Sequence, residues 1–229
     1  MTEASRTNGR SSNGSLNLLA DQAYAELMGQ LRSGSLMSGA FLSMPVLVER
    51  LACPIAAVRD AVKRAEAGGL VTVLPKRGVM VMDAGADMTR ECLELRAIFD
   101  CEGARRLIQN VDRIELGALR TVHEELREAV LGQSDPDLTR RAIETDLSLH
   151  DALSAGLASP LAERLYAENR DRIAVIQNTR PFLADRIVSA MDEHLTIIGA
   201  IEARDTEAAL TAIRTHLDGT LRWWGVSPS

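Results

Sequence analysis

The chain has four histidines, and three of them fall where an imidazole would face the inside of a helical bundle. Asp146 and His150 stand four residues apart, so on a helix both project from one face. Ala142, Leu149 and Leu153 share that face and point it inward. His194 lies in an apolar stripe with Ile187, Met191, Ile197, Ile198 and Ile201, and His216 shares a face with Ala209, Ala212, Ile213 and Trp223. One histidine on an apolar face is more often a hydrogen-bonded core residue than a ligand. Three of them on three helices, beside a carboxylate whose burial is costly unless a cation neutralises it, suit a divalent metal. The expected ligands are Asp146, His150, His194 and His216; zinc is the first expectation, with nickel and manganese as alternatives. His123, with neighbours Leu119, Arg120, Leu126 and Arg127, reads as a surface residue.

The elements that must position these residues are helices. After Asp83-Ala84-Gly85 the apolar spacing is helical, and it predicts six helices near 88–110, 112–131, 136–157, 160–179, 182–203 and 206–223. Asp135-Pro136 and Ser159-Pro160 are cap-then-proline starts. Connections this short make antiparallel neighbours, so residues 84–229 are expected to form an all-α bundle.

The preceding segment has a different grammar. Leu16, Leu19, Ala23, Leu27 and Leu31 recur at helical spacing up to the breakers Gly34 and Gly39. Ser43 is placed to cap a short helix, Met44–Leu51, and Pro54 to open another that ends at Gly68-Gly69. On that second helix Val58, Ala61, Val62 and Ala65 face inward, while Arg59, Lys63 and Arg64 face out. Two short strands then flank the turn Pro75-Lys76-Arg77-Gly78. Helix, helix, turn, helix, hairpin over residues 16–83 is the order of a winged helix-turn-helix, and residues 1–15, rich in Ser, Asn and Gly, read as a flexible arm. The expected class is mainly α.

Composition sets the limits. Aromatic residues are only 3% of the 229, so the core must be built from aliphatic side chains and Met, which suits packed helices. The net charge of −6 argues against a protein that binds nucleic acid over its whole surface. The charge is unevenly spread: residues 1–83 sum to +2 and the remainder to −8, which fits a head that alone approaches phosphate. Cys53, Cys92 and Cys101 make no CxxC pair, and no apolar run suits a membrane span or a signal peptide. A reducing, cytoplasmic setting is expected.

The stretches LRSGSLMSGAFLS, LVERLA, VRDAVKRAEAGGLV and KRGVMV, in that order, resemble the reading head of the GntR family of bacterial transcriptional regulators. The helical half resembles the FCD ligand-binding domain of the FadR subfamily in its shorter, VanR-like form. The resemblance implies operator DNA as partner, a homodimer, and Arg59 reading a base edge, with Lys63 and Arg64 on phosphate and Arg77 and Gly78 at the wing tip. It also implies an Asp/His/His/His metal site at Asp146, His150, His194 and His216, and a small carboxylate effector held there with help from Arg96. An ordinary ion pair is the plainer role for Arg96. The chain departs from the family pattern at Pro54-Ile55, where Ser/Thr-Arg is usual, and at Pro45, where an arginine is common. A retargeted operator and a weakened head both fit these departures. The expected function is ligand-controlled DNA binding rather than catalysis. A metal-dependent hydrolase and a sensor that no longer reads DNA are the alternatives.

Overall fold

The computed structural model describes residues 9–109, 116–132, 138–180 and 183–227. Two compact units emerge, one ending at Ala84 and including Ala174–Thr179, the other made of Gly85–Ile173 and the chain from Arg180 onward.

In the first unit α1 spans Gly9–Arg32, β1 Phe41–Leu42, α2 Met44–Leu51, α3 Ile55–Ala67, β2 Val71–Leu74 and β3 Gly78–Val81. Helix α1 begins inside the segment expected to be a flexible arm, and residues 1–8 of that arm lie outside the described residues. Ala23, Leu27 and Leu31, one turn apart on α1, pack with Val58, Ala61, Val62 and Ala65 of α3 in a buried seam. Pro45 is tolerated because it lies in the first turn of α2, where its missing N–H has no helical partner to lose. Pro54 caps α3 from outside, with extended backbone at ψ 146°, rather than forming its first turn.

The expected hairpin gains a third strand, giving the antiparallel order β1-β3-β2. Strand β1 has two residues, Phe41 opposite Met80 and Leu42 opposite Val79, too few for any periodic pattern to show. At the hairpin tip Pro75 supplies the fixed φ of a first turn position and Lys76 takes φ 60°, closed by Arg77 N–H donating to Leu74 O at 2.9 Å.

The second unit holds α4 Ala86–Gln109, α5 Leu116–Gly132, α6 Leu138–Ala155, α7 Pro160–Gln177 as far as Ile173, α8 Ala184–Glu202 and α9 Thr206–Trp223. These correspond to the six helices expected, and the Asp135-Pro136 start lies outside the described residues. Leu149, Leu153, Ile197, Ile198, Ile201 and Ile213 form the heart of the core, each 0 or 1% exposed. Each such side chain contributes roughly 1.5–3 kcal/mol of burial. Two local features set the frame. Gly103 on α4 lies so close to α6 that a Cβ would collide with the Leu153 carbonyl. Between α8 and α9 the turn is tight: Arg204 takes φ 56°, and Asp205 accepts from Ala208 N–H at 2.9 Å to cap α9. Trp223, expected on the inward face with His216, is 45% exposed at the end of α9.

Candidate metal centre and nucleic-acid interface

Helices α6, α8 and α9 bring Asp146, His150, His194 and His216 together, with one ligand atom from each lying within 4.8 Å of all the others. His150 and His194 are fully buried and His216 is 2% exposed. His194 Nε2 is 3.3 Å from His216 Nε2 and 3.6 Å from Asp146 Oδ1. Two donors bound tetrahedrally at about 2.0–2.1 Å from a zinc ion stand roughly 3.3 Å apart, so these spacings fit.

The hydrogen bonds fix which nitrogen of each ring is bare. His150 donates its Nδ1–H to Asp100 Oδ2 at 2.8 Å, and His216 donates its Nδ1–H to Glu193 Oε2 at 2.7 Å. Carboxylates accept, so in both rings the proton sits on Nδ1 and the lone pair on Nε2. His150 Nε2 is buried without a hydrogen-bond partner, an orphan that a metal ion would satisfy. The facing Nε2 atoms of His194 and His216 cannot bond each other with both lone pairs bare. Something electron-deficient is needed between or beside them. Arg96 on α4 answers part of that need, donating from Nη2 to His216 Nε2 at 3.2 Å. It is 3% exposed and also lies 3.9 Å from both Asp100 and Asp146 carboxylate oxygens.

Burial holds His194 and His216 neutral. It drives His194 well below the ordinary value and His216 down to about 4. Burial also works against ionised Asp146, but the Arg96 and Arg186 guanidiniums, with His150 beside it, outweigh that cost and keep the carboxyl below its usual range. For Glu193 the hydrogen bond from His216 and the Arg186 guanidinium likewise overcome burial. Neutral imidazoles beside an ionised carboxylate are the protonation states a metal requires.

His123 overturns the surface reading. It is 0% exposed, its Nδ1–H donates to Leu119 O at 2.7 Å, and its Nε2 accepts from His194 Nδ1 at 3.1 Å. The signal was present in the spacing of Leu116, Leu119, His123, Leu126 and Val130, an inward stripe along α5. Arg120 and Arg127, which made the neighbourhood look mixed, flank that stripe and bond Glu202 and Asp192 of α8. Glu193, which orients the His216 ring, carries no motif and is recognisable only once the helices are assembled.

In the first unit Arg59 and Lys63 stand exposed one turn apart on α3. A concavity of about 430 Å³ lies between Arg59, the segment Ser43–Pro45 and the wing residues from Val73 to Gly78, Arg77 among them. Arg64 is turned to another use: its Nη1 pairs with Asp21 at 2.8 Å and its guanidinium lies 3.9 Å over the Tyr24 ring, tying α3 to α1. Gly78 has φ 144°, and a Cβ there would strike the Leu42 carbonyl, so the packing of β1 already demands glycine.

A winged reading head and a six-helix domain with a buried His/Asp cluster together define a class of DNA-binding regulators with a sensory domain. Residues 19–81 match the family described as bacterial regulatory proteins of the gntR family, and residues 91–219 match the FCD domain. The chain belongs to the GntR family, with an FCD domain of the FadR kind, and its family members are transcriptional regulators rather than enzymes. Comparison with curated proteins finds no significant match. Among solved structures, E. coli McbR/YncC shares 19% identity at a TM-score of 0.74, covering 90% of this chain and 97% of its own. A protein described as a GntR transcriptional regulator from Rhodococcus sp. RHA1 shares 20% at 0.71, covering 90% and 96%. Lar, described as controlling the Listeria monocytogenes agr system, shares 14% at 0.58, covering 91% and 98%. At these identities the likeness is one of fold. No described helix is long and apolar enough to cross a membrane.

Proposed function

We propose that the chain is a cytoplasmic, homodimeric regulator that binds operator DNA under the control of a small carboxylate held at a metal site. The observation that carries the metal reading is the orientation of the three histidine rings. In His150, His194 and His216 the Nδ1 atom is engaged outward, and each Nε2 points toward the others and Asp146. Zinc, bound by these four residues, would supply a Lewis-acidic centre for an anionic effector, with Arg96 close enough to pair with the same acid group. Operator contact is assigned to Arg59 and Arg77, which line one concavity, and to Lys63, exposed one turn from Arg59 on α3. Arg64 is withdrawn from that set on account of its Asp21 pair. A two-fold partner has a natural seat on α4 and α7. These helices meet through Phe99 and Tyr166 yet leave Leu95, Ile98, Leu161 and Leu165 exposed.

A gel shift against the DNA upstream of the protein's own gene, run over a salt series with and without zinc and small dicarboxylates, tests the proposal. Specific, salt-dependent binding that zinc plus acid changes supports it. Binding indifferent to metal and acid refutes the control mechanism, and no binding at low salt refutes the regulator reading.

A further inference from the structure

We propose that His123 is a positioning residue for the metal centre, holding His194 in the one tautomer that leaves its Nε2 free. The inference rests on the metal reading above and adds a residue to it. Leu119 O can only accept, so the 2.7 Å contact places a proton on His123 Nδ1 and leaves His123 Nε2 bare. A bare nitrogen can only accept in turn, so the 3.1 Å contact places the proton of His194 on Nδ1. His194 Nε2 is then the lone pair that faces Asp146 and His216. Both rings are 0% exposed, with centroids 5.2 Å apart at 58°, so solvent has no access to replace this acceptor.

His194 differs in this from its fellow ligands. His150 and His216 take their orientation from the carboxylates of Asp100 and Glu193. With Asp146 also present, the centre already gathers three carboxylates. A neutral imidazole backed by a carbonyl orients the third ring without adding another buried negative charge. It also connects the metal centre to the backbone of α5, a helix that supplies no ligand of its own.

The test uses zinc alone as probe, the full chain, and two variants, His123→Leu and His123→Gln. Leu removes the acceptor and keeps the site apolar; Gln carries an oxygen at about the depth of the lost Nε2. Competition against a chromophoric chelator should show zinc bound about 10–100-fold more weakly by His123→Leu, with most of the loss recovered in His123→Gln. The Leu variant also strands His194 Nδ1–H, so its metal-free melting temperature should fall by a few degrees; recovery of zinc affinity in His123→Gln separates orientation of His194 from mere packing. Nitrogen-detected NMR of the native metal-free protein should find His194 protonated at Nδ1. Zinc affinity of His123→Leu within about twofold of native, or a native His194 protonated at Nε2, overturns the proposal. If native protein takes up no zinc at all, the metal reading falls instead, and the NMR tautomer still decides whether His123 orients His194.

Discussion

Replacing Gly103 by Ala should destabilise the helical domain, although Ala is the better helix former. The added Cβ would meet the carbonyl oxygen and carbon of Leu153, which are backbone atoms of α6 and cannot swing aside as a side chain would. Overpacking of this kind costs about 1–3 kcal/mol, and a backbone collision belongs at the upper end. Ala recovers about 1 kcal/mol of helix propensity. The net loss is therefore about 2 kcal/mol, or a melting temperature lower by roughly 4–8 °C for a domain of this size. Helices α4 and α6 also carry Asp100 and His150, so parting them stretches the 2.8 Å bond that orients that ring. Gly29 supplies the control. It lies within α1 with nothing inside 4 Å of an added Cβ, so Gly29→Ala should raise stability by about 0.5–1 kcal/mol. Thermal unfolding followed by circular dichroism, with the metal removed, reads both. A Gly103→Ala protein that melts at or above native would refute the close packing of α4 on α6.

Arg59→Ala should weaken operator binding by about 1–3 kcal/mol and relax the sequence preference, as measured by fluorescence anisotropy against cognate and scrambled DNA. Arg64→Ala should leave the salt slope of DNA binding unchanged and cost about 1 kcal/mol of stability, because its Asp21 pair is a surface one. The metal-free protein should lose stability as pH falls from about 6.5 toward 4. Folding lowers the His216 pKa to about 4 and that of His194 well below normal, so the unfolded chain takes up protons there that the folded one refuses. Asp146 and Glu193, also lowered in the fold, add to the loss only as pH falls through their ordinary range, about 4, so the histidines govern the upper part of this window. Denaturant titrations at stepped pH would show the decline, and a flat profile between pH 6.5 and 4.5 would contradict it.

Much of the architecture was legible because it rests on periodicity. The six helices of the second unit and the helix-turn-helix order of the first follow from apolar spacing and from Gly and Pro punctuation. The four candidate ligands were legible for a related reason: imidazoles and a carboxylate on apolar faces conflict with burial unless they have a purpose. Contacts between elements distant in sequence were not. Strand β1 exists only because β3 offers it an edge, and Arg64, exposed as its helix position suggested, pairs with Asp21, 43 residues away. His123 was obscured by Arg120 and Arg127, whose charges dominate a local reading while their ion pairs lie off the buried stripe. Gly78 matched a wing-tip motif, yet its lack of a side chain is already required by Leu42. For β1, Arg64 and Gly78 the deciding partner lies far along the chain, where spacing carries no information.

Whether Asp146, His150, His194 and His216 form a metal centre is decided by metal content. Elemental mass spectrometry of purified native chain after zinc loading and desalting should find about one ion per chain, and of the His194→Ala/His216→Ala double variant none. Equal metal in the two proteins would contradict the account.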